Sequence, residues 1–211
     1  MARPAGVKNQ DYEEKRVALL DAMISHVERE DVVQPSLRQL AIAAGVSDIN
    51  LKHYFGDRRG VVIALFKHMR DTTRQVRAAM RSPFQSVSEA IEDYVRLASQ
   101  AGTDAPYIRR HVFALREAIA DSEVYRHYVV EILEPAAEAM SERLVASSNG
   151  AMTPEAAHQA GTHIVFNSMF LGMQKAMDPS DIDAKEFRAK LERFGRWMAA
   201  GLEAELKTVA A

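Results

Sequence analysis

Six hydrogen-bonding side chains, Ser47, Asp48, Asn50, Lys52, His53 and Tyr54, are crowded into the stretch AGVSDINLKHYF, interleaved with the apolar Val46, Ile49, Leu51 and Phe55. The types suit the edge of a nucleic-acid duplex. An Asn amide can bond adenine in bidentate fashion, a Lys ammonium can reach guanine or phosphate, and Ser, His and Tyr donate to phosphate oxygens. Asp48 is the exception, because phosphate repels it unless it accepts from a cytosine amino group or serves the N-terminus of a helix.

Catalytic arrangements are poorly represented. Glu155 and His158 have the Glu-x-x-His spacing of carboxylate-bridged di-iron bundles, but such a site needs a second copy, and the sequence has none. His158 and His163 stand five residues apart, about 140° around a helix, which spoils them as a metal pair. There is no Gly-rich phosphate loop, no HExxH, no G-x-S-x-G and no cysteine. The sequence therefore predicts no enzyme, no metal site and no cofactor.

Positioning the polar cluster falls to helices. Val17, Leu20, Ile24 and Val27 recur at helical spacing over about Tyr12 to Glu30, and DVVQP ends that run. Ser36 and Gln39 form a capping-box pattern that opens a second helix, with Leu37, Leu40, Ala41 and Ala44 inward and Gly45 as the stop. Ser47 caps a third helix, which Ile49, Leu51 and Phe55 are expected to anchor and Gly56 to end. Two helices joined by a Gly turn, the second opening on a polar segment, make a helix-turn-helix, whose second helix enters the major groove. The alternative is a surface helix that is merely polar outside.

Asp57 caps a fourth helix expected to run to about Arg81, with Val62, Phe66, Met69, Thr73, Val76 and Met80 inward. On another face Lys67, Arg70, Arg74, Arg77 and Arg81 repeat at three and four, a row read as solvated before contact with DNA or with the acidic C-terminal part. SPFQS then breaks the pattern. Helical stretches follow at about Val87–Ala101, Tyr107–Ala120, Glu123–Ser148, Pro154–Met177 and Asp183–Lys207, with a kink expected at Pro135. The fold class is all-α, with about nine helices: residues 1–56 a helix-turn-helix domain, 57–81 a connecting helix, and 82–211 the remainder.

The segment SLRQLAIAAGVSDINLKHYFGDRRGVV resembles the DNA-binding signature of the tetracycline-repressor (TetR) family of bacterial transcription regulators. The resemblance gives Leu40, Ala41, Ala44, Val46, Leu51 and Phe55 packing roles. It implies DNA contacts for His53 and Tyr54 and a phosphate contact for Arg58; with Ser47, Asp48, Asn50 and Lys52 of the polar cluster, and Ser36 and Arg38 at the start of the second helix, they make the candidate DNA-binding set. Ile49, Asn50 and Lys52 depart from the residues usual in the family, which bears on the operator sequence rather than on the mode of binding.

A single helix-turn-helix touches few base pairs, so such modules pair, with half-sites about 34–36 Å apart or a multiple of that. In the Pro154–Met177 helix a row of small residues, Ala157, Gly161, Val165, Ser168 and Gly172, would let another helix come close, either a partner's or one of its own chain. On the last helix Phe187, Leu191, Phe194, Met198 and Leu202 form one stripe, which Trp197 and Gly201 widen. The resemblance implies that these two helices form the homodimer interface.

It also implies a small-molecule effector. Phe166, Phe170 and Met173, edged by His163 and Asn167, could line its site with Tyr94, Tyr107, His111 and Tyr128, or could be ordinary core. The whole reads as a ligand-responsive repressor on a palindromic operator, the alternative being a helical protein-interaction adaptor. Residues 1–81 carry 14 Lys+Arg against 10 Asp+Glu, and the rest 13 against 19, so a polyanion would meet the front. With no signal-peptide core and no long apolar run, the chain is expected in the cytoplasm.

Overall fold

The computed structural model describes residues 5–32, 34–177 and 183–209. Every regular element among them is helical: α1 (Ala5–Val27), α2 (Leu37–Ala43), α3 (Asp48–Phe55), α4 (Arg58–Thr72), α5 (Arg74–Met80), α6 (Val87–Thr103), α7 (Ala105–Ala120), α8 (Ser122–Tyr128), a π turn (Val129–Leu133), α9 (Glu134–Ser147), α10 (Pro154–Met177) and α11 (Ala184–Val209). Val33, in the break expected after α1, lies outside the described residues.

Local chemistry fixes the first three helices. The Gln39 amide donates to Ser36 Oγ at 3.2 Å and the Ser36 amide to Gln39 Oε1 at 2.8 Å, which completes the capping box. At the other end of α2, Gly45 sits at φ 69°, its amide donating to Ile42 and that of Val46 to Ala41, the paired bonds of a Schellman turn. Nothing stands within 4 Å of a Cβ built on Gly45, so only its backbone demands glycine. Gly45→Ala should therefore lower stability by about 1–2 kcal/mol, read as a lower urea midpoint at unchanged slope.

Leu20, Met23, Ile24 and Val27 of α1, Leu40 and Ala41 of α2, and Leu51 and Phe55 of α3 join Val62, Leu65 and Phe66 of α4 in one core, which continues into Phe113 of α7 and Tyr128 of α8. Two anchors expected from periodicity lie outside it. Val17 is 43% exposed, because Leu19 takes the inward position, and Ile49 is 80% exposed. Leu51 and Phe55, four apart, suffice to hold so short a helix.

The fourth helix is broken at Thr73, which has φ −95° and ψ 8°. Thr72 Oγ1 donates to the His68 carbonyl at 3.0 Å and Thr73 Oγ1 to that of Met69 at 2.8 Å. Such back-bonding bends helices. Beyond the break Val76 is exposed on its outer side rather than buried. A second irregularity precedes Pro135: the Glu134 amide reaches back to Val129, the wider bond of a π turn. The proline lacks a donor and crowds the turn before it, and the extra residue absorbs both defects.

A second core joins Ile91, Tyr94 and Val95 of α6, Met140 and Leu144 of α9, Ala157, Ile164 and Val165 of α10, and Phe187 and Leu191 of α11. In it α10 lies along α9 so closely that a Cβ on Gly161 would come within 2.9 Å of the Ala137 carbonyl oxygen. Arg143 of α9 is fully buried there, bonded to carbonyls of α5 and α6 and to Asp93.

Candidate nucleic-acid interface

The Schellman turn throws α3 outward from α2, and Ser47 caps it by accepting from the Asn50 amide at 3.2 Å. Leu51 and Phe55 face the core. Ile49, Asn50, Lys52 and His53 are exposed, as are Ser36 and Arg38 at the start of α2. Ser36 and Ser47 have each committed the hydroxyl oxygen to a cap, which leaves the hydroxyl proton for a phosphate. Asp48 occupies the first turn of α3, where the helix dipole favours a carboxylate.

Two expected contacts are placed differently. Tyr54 is half-buried, its ring stacked on Tyr12 at 4.9 Å, so it braces α3 against α1 instead of pointing outward. Arg58 is turned toward α7: its guanidinium forks onto the buried Glu117, with Nη2 to Oε1 at 2.7 Å, and reaches the Pro35 carbonyl at 3.1 Å. The Glu117 bond raises its pKa further still. A carboxylate brought in from residue 117 is invisible to local pattern, which is why Arg58 reads as a phosphate contact in sequence. Arg59 binds Asp121 and Glu123 in the same way, Arg70 binds Glu131, and Arg81 binds Glu142. Of the basic row Lys67 and Arg74 stand exposed, Arg70 and Arg81 meet carboxylates of the acidic C-terminal half, and Arg77 bonds to Thr73 Oγ1 and the Arg70 carbonyl.

The two rows read on α10 are placed differently from expectation. Ala157, Gly161, Val165, Ser168 and Gly172, expected at a dimer interface, are buried within their own chain, against α9 and, at Gly172, against Ile108 of α7. Phe166 and Phe170, expected in an effector site, face outward with His163, Phe170 being 54% exposed. Asn167 is half-buried and Met173 is core. Because α10 is apolar all round, periodicity alone cannot say which side is inside. On α11, Trp197 is 68% exposed and Gly201 is open, while Phe194 and Met198 are half-buried.

Between α5, α6, α7 and α10 lie two adjoining cavities. One, of about 110 Å³, is lined by Tyr94, Leu97, Ile108, Val165, Ser168 and Met169 among others. The second, of about 60 Å³, is lined by Arg70, Arg77, Arg110, His111, Glu131 and Met169 among others, and the two share Val76, Met80, Tyr107 and Ala136. Tyr94 lines the first, His111 the second and Tyr107 both, whereas Tyr128 is not among the lining residues of either, its hydroxyl 3.7 Å from Met169 Sδ. Burial, then the nearby Arg110, pushes the His111 imidazole down to about 3, and neither ring nitrogen has a partner. Arg77, Arg110 and Glu131 were not legible as site residues in the sequence: Arg77 and Arg110 sit among other charges and look solvated, and Glu131 is a single acid in the run VVEIL whose burial depends on distant elements.

Over 108 residues the sequence is 28% identical to the HTH-type transcriptional regulator RutR of Escherichia coli K12, a stretch that spans 51% of this chain and about half (50%) of that one. The HTH-type transcriptional regulator BetI of Cronobacter sakazakii is 34% identical over 76 residues, 36% of each chain. In three dimensions the molecule is similar to a structure assigned to a TetR-family transcriptional regulator from Rhodococcus sp. The TM-score is 0.67 at 16% identity, over 88% of this chain and 99% of that one. It is also similar to the fatty acid degradation regulator FadR from Bacillus halodurans, with TM-score 0.65, 18% identity and coverage of 89% and 96%. No family model matches the chain.

Proposed function

We propose that this chain, which shares its fold with TetR-family regulators and matches helix-turn-helix regulators in sequence, is a DNA-binding transcription regulator acting as a homodimer. The observation that carries the reading is the outer edge of α3, where Asn50, Lys52 and His53 stand exposed on a helix fixed at both ends by caps. A groove reader needs such a rigid rod, because base-edge bonds form only at fixed distances.

In this reading residues 1–56 form the reading head, 57–81 the connection and 82–211 the body, which pairs two copies and holds an effector. Pairing would use the outward side of α10 and α11, where Phe166, Phe170, Met177 and Trp197 stand uncovered on two helices that pack on each other. Large exposed apolar groups of this kind mark association surfaces. An effector that fits only one spacing of the two α3 helices changes operator affinity by its differential affinity for the two arrangements. Repression follows if the free dimer has the spacing of the operator. Such a protein works beside the chromosome, in the cytoplasm, and no helix among the described residues is long and apolar enough to cross a membrane.

The test is a gel-shift titration on fragments selected from the source genome, repeated across salt. Affinity should fall steeply as salt rises, since phosphate contacts release counterions. Lys52→Ala should weaken binding to all sequences about equally and flatten the salt slope by about one ion. Asn50→Ala should cost about 1–3 kcal/mol at one base pair and relax the preference there. Absence of duplex binding at low salt would favour a protein-interaction adaptor and refute the proposal.

A further inference from the structure

The cavities between α5, α6, α7 and α10 carry a charge pattern that specifies an occupant. Among the charged groups lining the smaller one, Arg70 is matched by Glu131, and Arg110 by Glu28 at 3.3 Å. Arg77 is not matched in this way: its guanidinium donates to Thr73 Oγ1 at 2.6 Å and to the Arg70 carbonyl at 2.7 Å, both neutral oxygens. It is half-buried, and burial, then Arg81 and Arg70, lower its pKa, so its surroundings disfavour the cation it must carry. Beside it His111 is 5% exposed with both ring nitrogens unpartnered. A buried imidazole normally satisfies at least one nitrogen, so this pair is an arrangement waiting for an acceptor.

The neighbouring space is largely apolar, walled by Leu97, Ala98, Ile108, Val165 and Met169, with Tyr94, Ser168 and the shared Tyr107 as its hydroxyl-bearing residues. Ser168 is already committed to the Ile164 carbonyl at 2.7 Å. Size narrows the choice. A dry cavity of roughly 150 Å³ holds benzene, and a water takes up about 30 Å³. The compartment of about 110 Å³ suits a compact hydrocarbon body once Met169, a flexible thioether in the shared wall, adjusts, and that of about 60 Å³ suits a two-oxygen head.

We propose that the effector is a small monocarboxylate with a compact apolar body, about the size of benzoate, its carboxylate held by Arg77 and His111 and its body between Tyr94, Ile108 and Val165. This rests on the reading of the chain as an effector-responsive regulator and names the class of molecule it senses. Neutral analogues lose the charge-assisted bonds and leave Arg77 as it was. The larger cleft between α6 and α11, about 510 Å³, is less suited, because Glu92 and Glu192 stand there against Arg96, Arg188 and Arg196 and no apolar compartment adjoins them among its lining residues.

Calorimetric titration of the full chain with benzoate and with benzamide tests the assignment. Benzoate should bind at least about tenfold more tightly than benzamide, and Arg77→Gln should remove that preference by lowering benzoate affinity at least about tenfold, with a much smaller change for benzamide. In nitrogen-15 spectra the ring nitrogens of His111 should shift when benzoate, but not benzamide, is added. Equal binding of acid and amide, benzoate affinity unaltered in Arg77→Gln, or no saturable benzoate binding would each overturn it. If Arg77→Gln does not fold, the acid and amide comparison on the native chain decides. Benzoate binding through Arg77 without any duplex binding would leave this assignment standing and remove the regulator reading; duplex binding without benzoate binding would do the reverse.

Discussion

Arg143→Leu should destabilise the chain by about 3–5 kcal/mol, the loss found when one partner of a buried ion pair is removed. The guanidinium is 1% exposed and lies at the junction of α5, α6 and α9. Its Nε donates to the Met80 carbonyl, Nη1 to Ala90 at 3.2 Å and to Asp93 Oδ2 at 2.9 Å, and Nη2 to Ala79 at 3.1 Å, while Phe84 covers it at 4.9 Å from the ring centroid. The carbonyls of Ala79 and Met80 belong to the last turn of α5, which has few other donors within reach. Leucine fills part of the volume but takes the guanidinium donors from the Met80 carbonyl and from Asp93 Oδ2, leaving Asp93 with Arg96 alone and the Ala79 carbonyl with the Ser82 amide. Lysine should recover only part of the loss, because one ammonium cannot span donors spread over three helices. Urea unfolding followed by circular dichroism measures both; a loss below about 1 kcal/mol for leucine would mean that water replaces the guanidinium. Burial alone would raise the Asp93 pKa, yet Arg96 and Arg143 together hold it below the usual carboxylate value. That contribution to stability is therefore complete above the ordinary aspartate pKa and fades as pH falls through the lowered one.

Phe170→Asp combined with Trp197→Ala should weaken self-association by at least about thirtyfold, the effect of losing a hot-spot contact of about 2 kcal/mol. Both side chains are mostly exposed in the single chain, so the fold and its thermal transition should hardly change. Operator binding should fall more steeply with protein concentration, since two heads would bind as separate molecules instead of one. Sedimentation equilibrium reads the first effect and gel-shift isotherms the second. Unaltered self-association would mean that the copies pair elsewhere.

Much of the architecture was legible because its determinants are local. Ser36, Gly45, Ser47, Gly56 and Asp57 each set an end of a helix through atoms within a few residues, and Pro154 and Pro135 mark a start and a kink by what their rings forbid. The side assignments were legible only where a helix is amphipathic. On α10 apolar residues stand on both sides, so periodicity leaves open whether the small-residue row faces its own chain or a partner; deciding between them needs the close approach of α9 to Gly161. Charges were the least legible. Arg58, Arg70 and Arg77 look alike in sequence, and what separates them is whether a carboxylate arrives from some sixty residues away.

The arginine-to-carboxylate joints between the two halves bear on recombination. Arg58 with Glu117, Arg59 with Asp121 and Glu123, and Glu28 with Arg110 run in opposite polarity, two with the cation in front and one with the anion there. A chimera that grafts a foreign front onto this body, or the reverse, must match both signs at once. A graft that ignored them would set the buried Glu117 and the cavity-lining Arg110 adrift together. The seam thus works as a lock that makes each half faithful to its own counterpart.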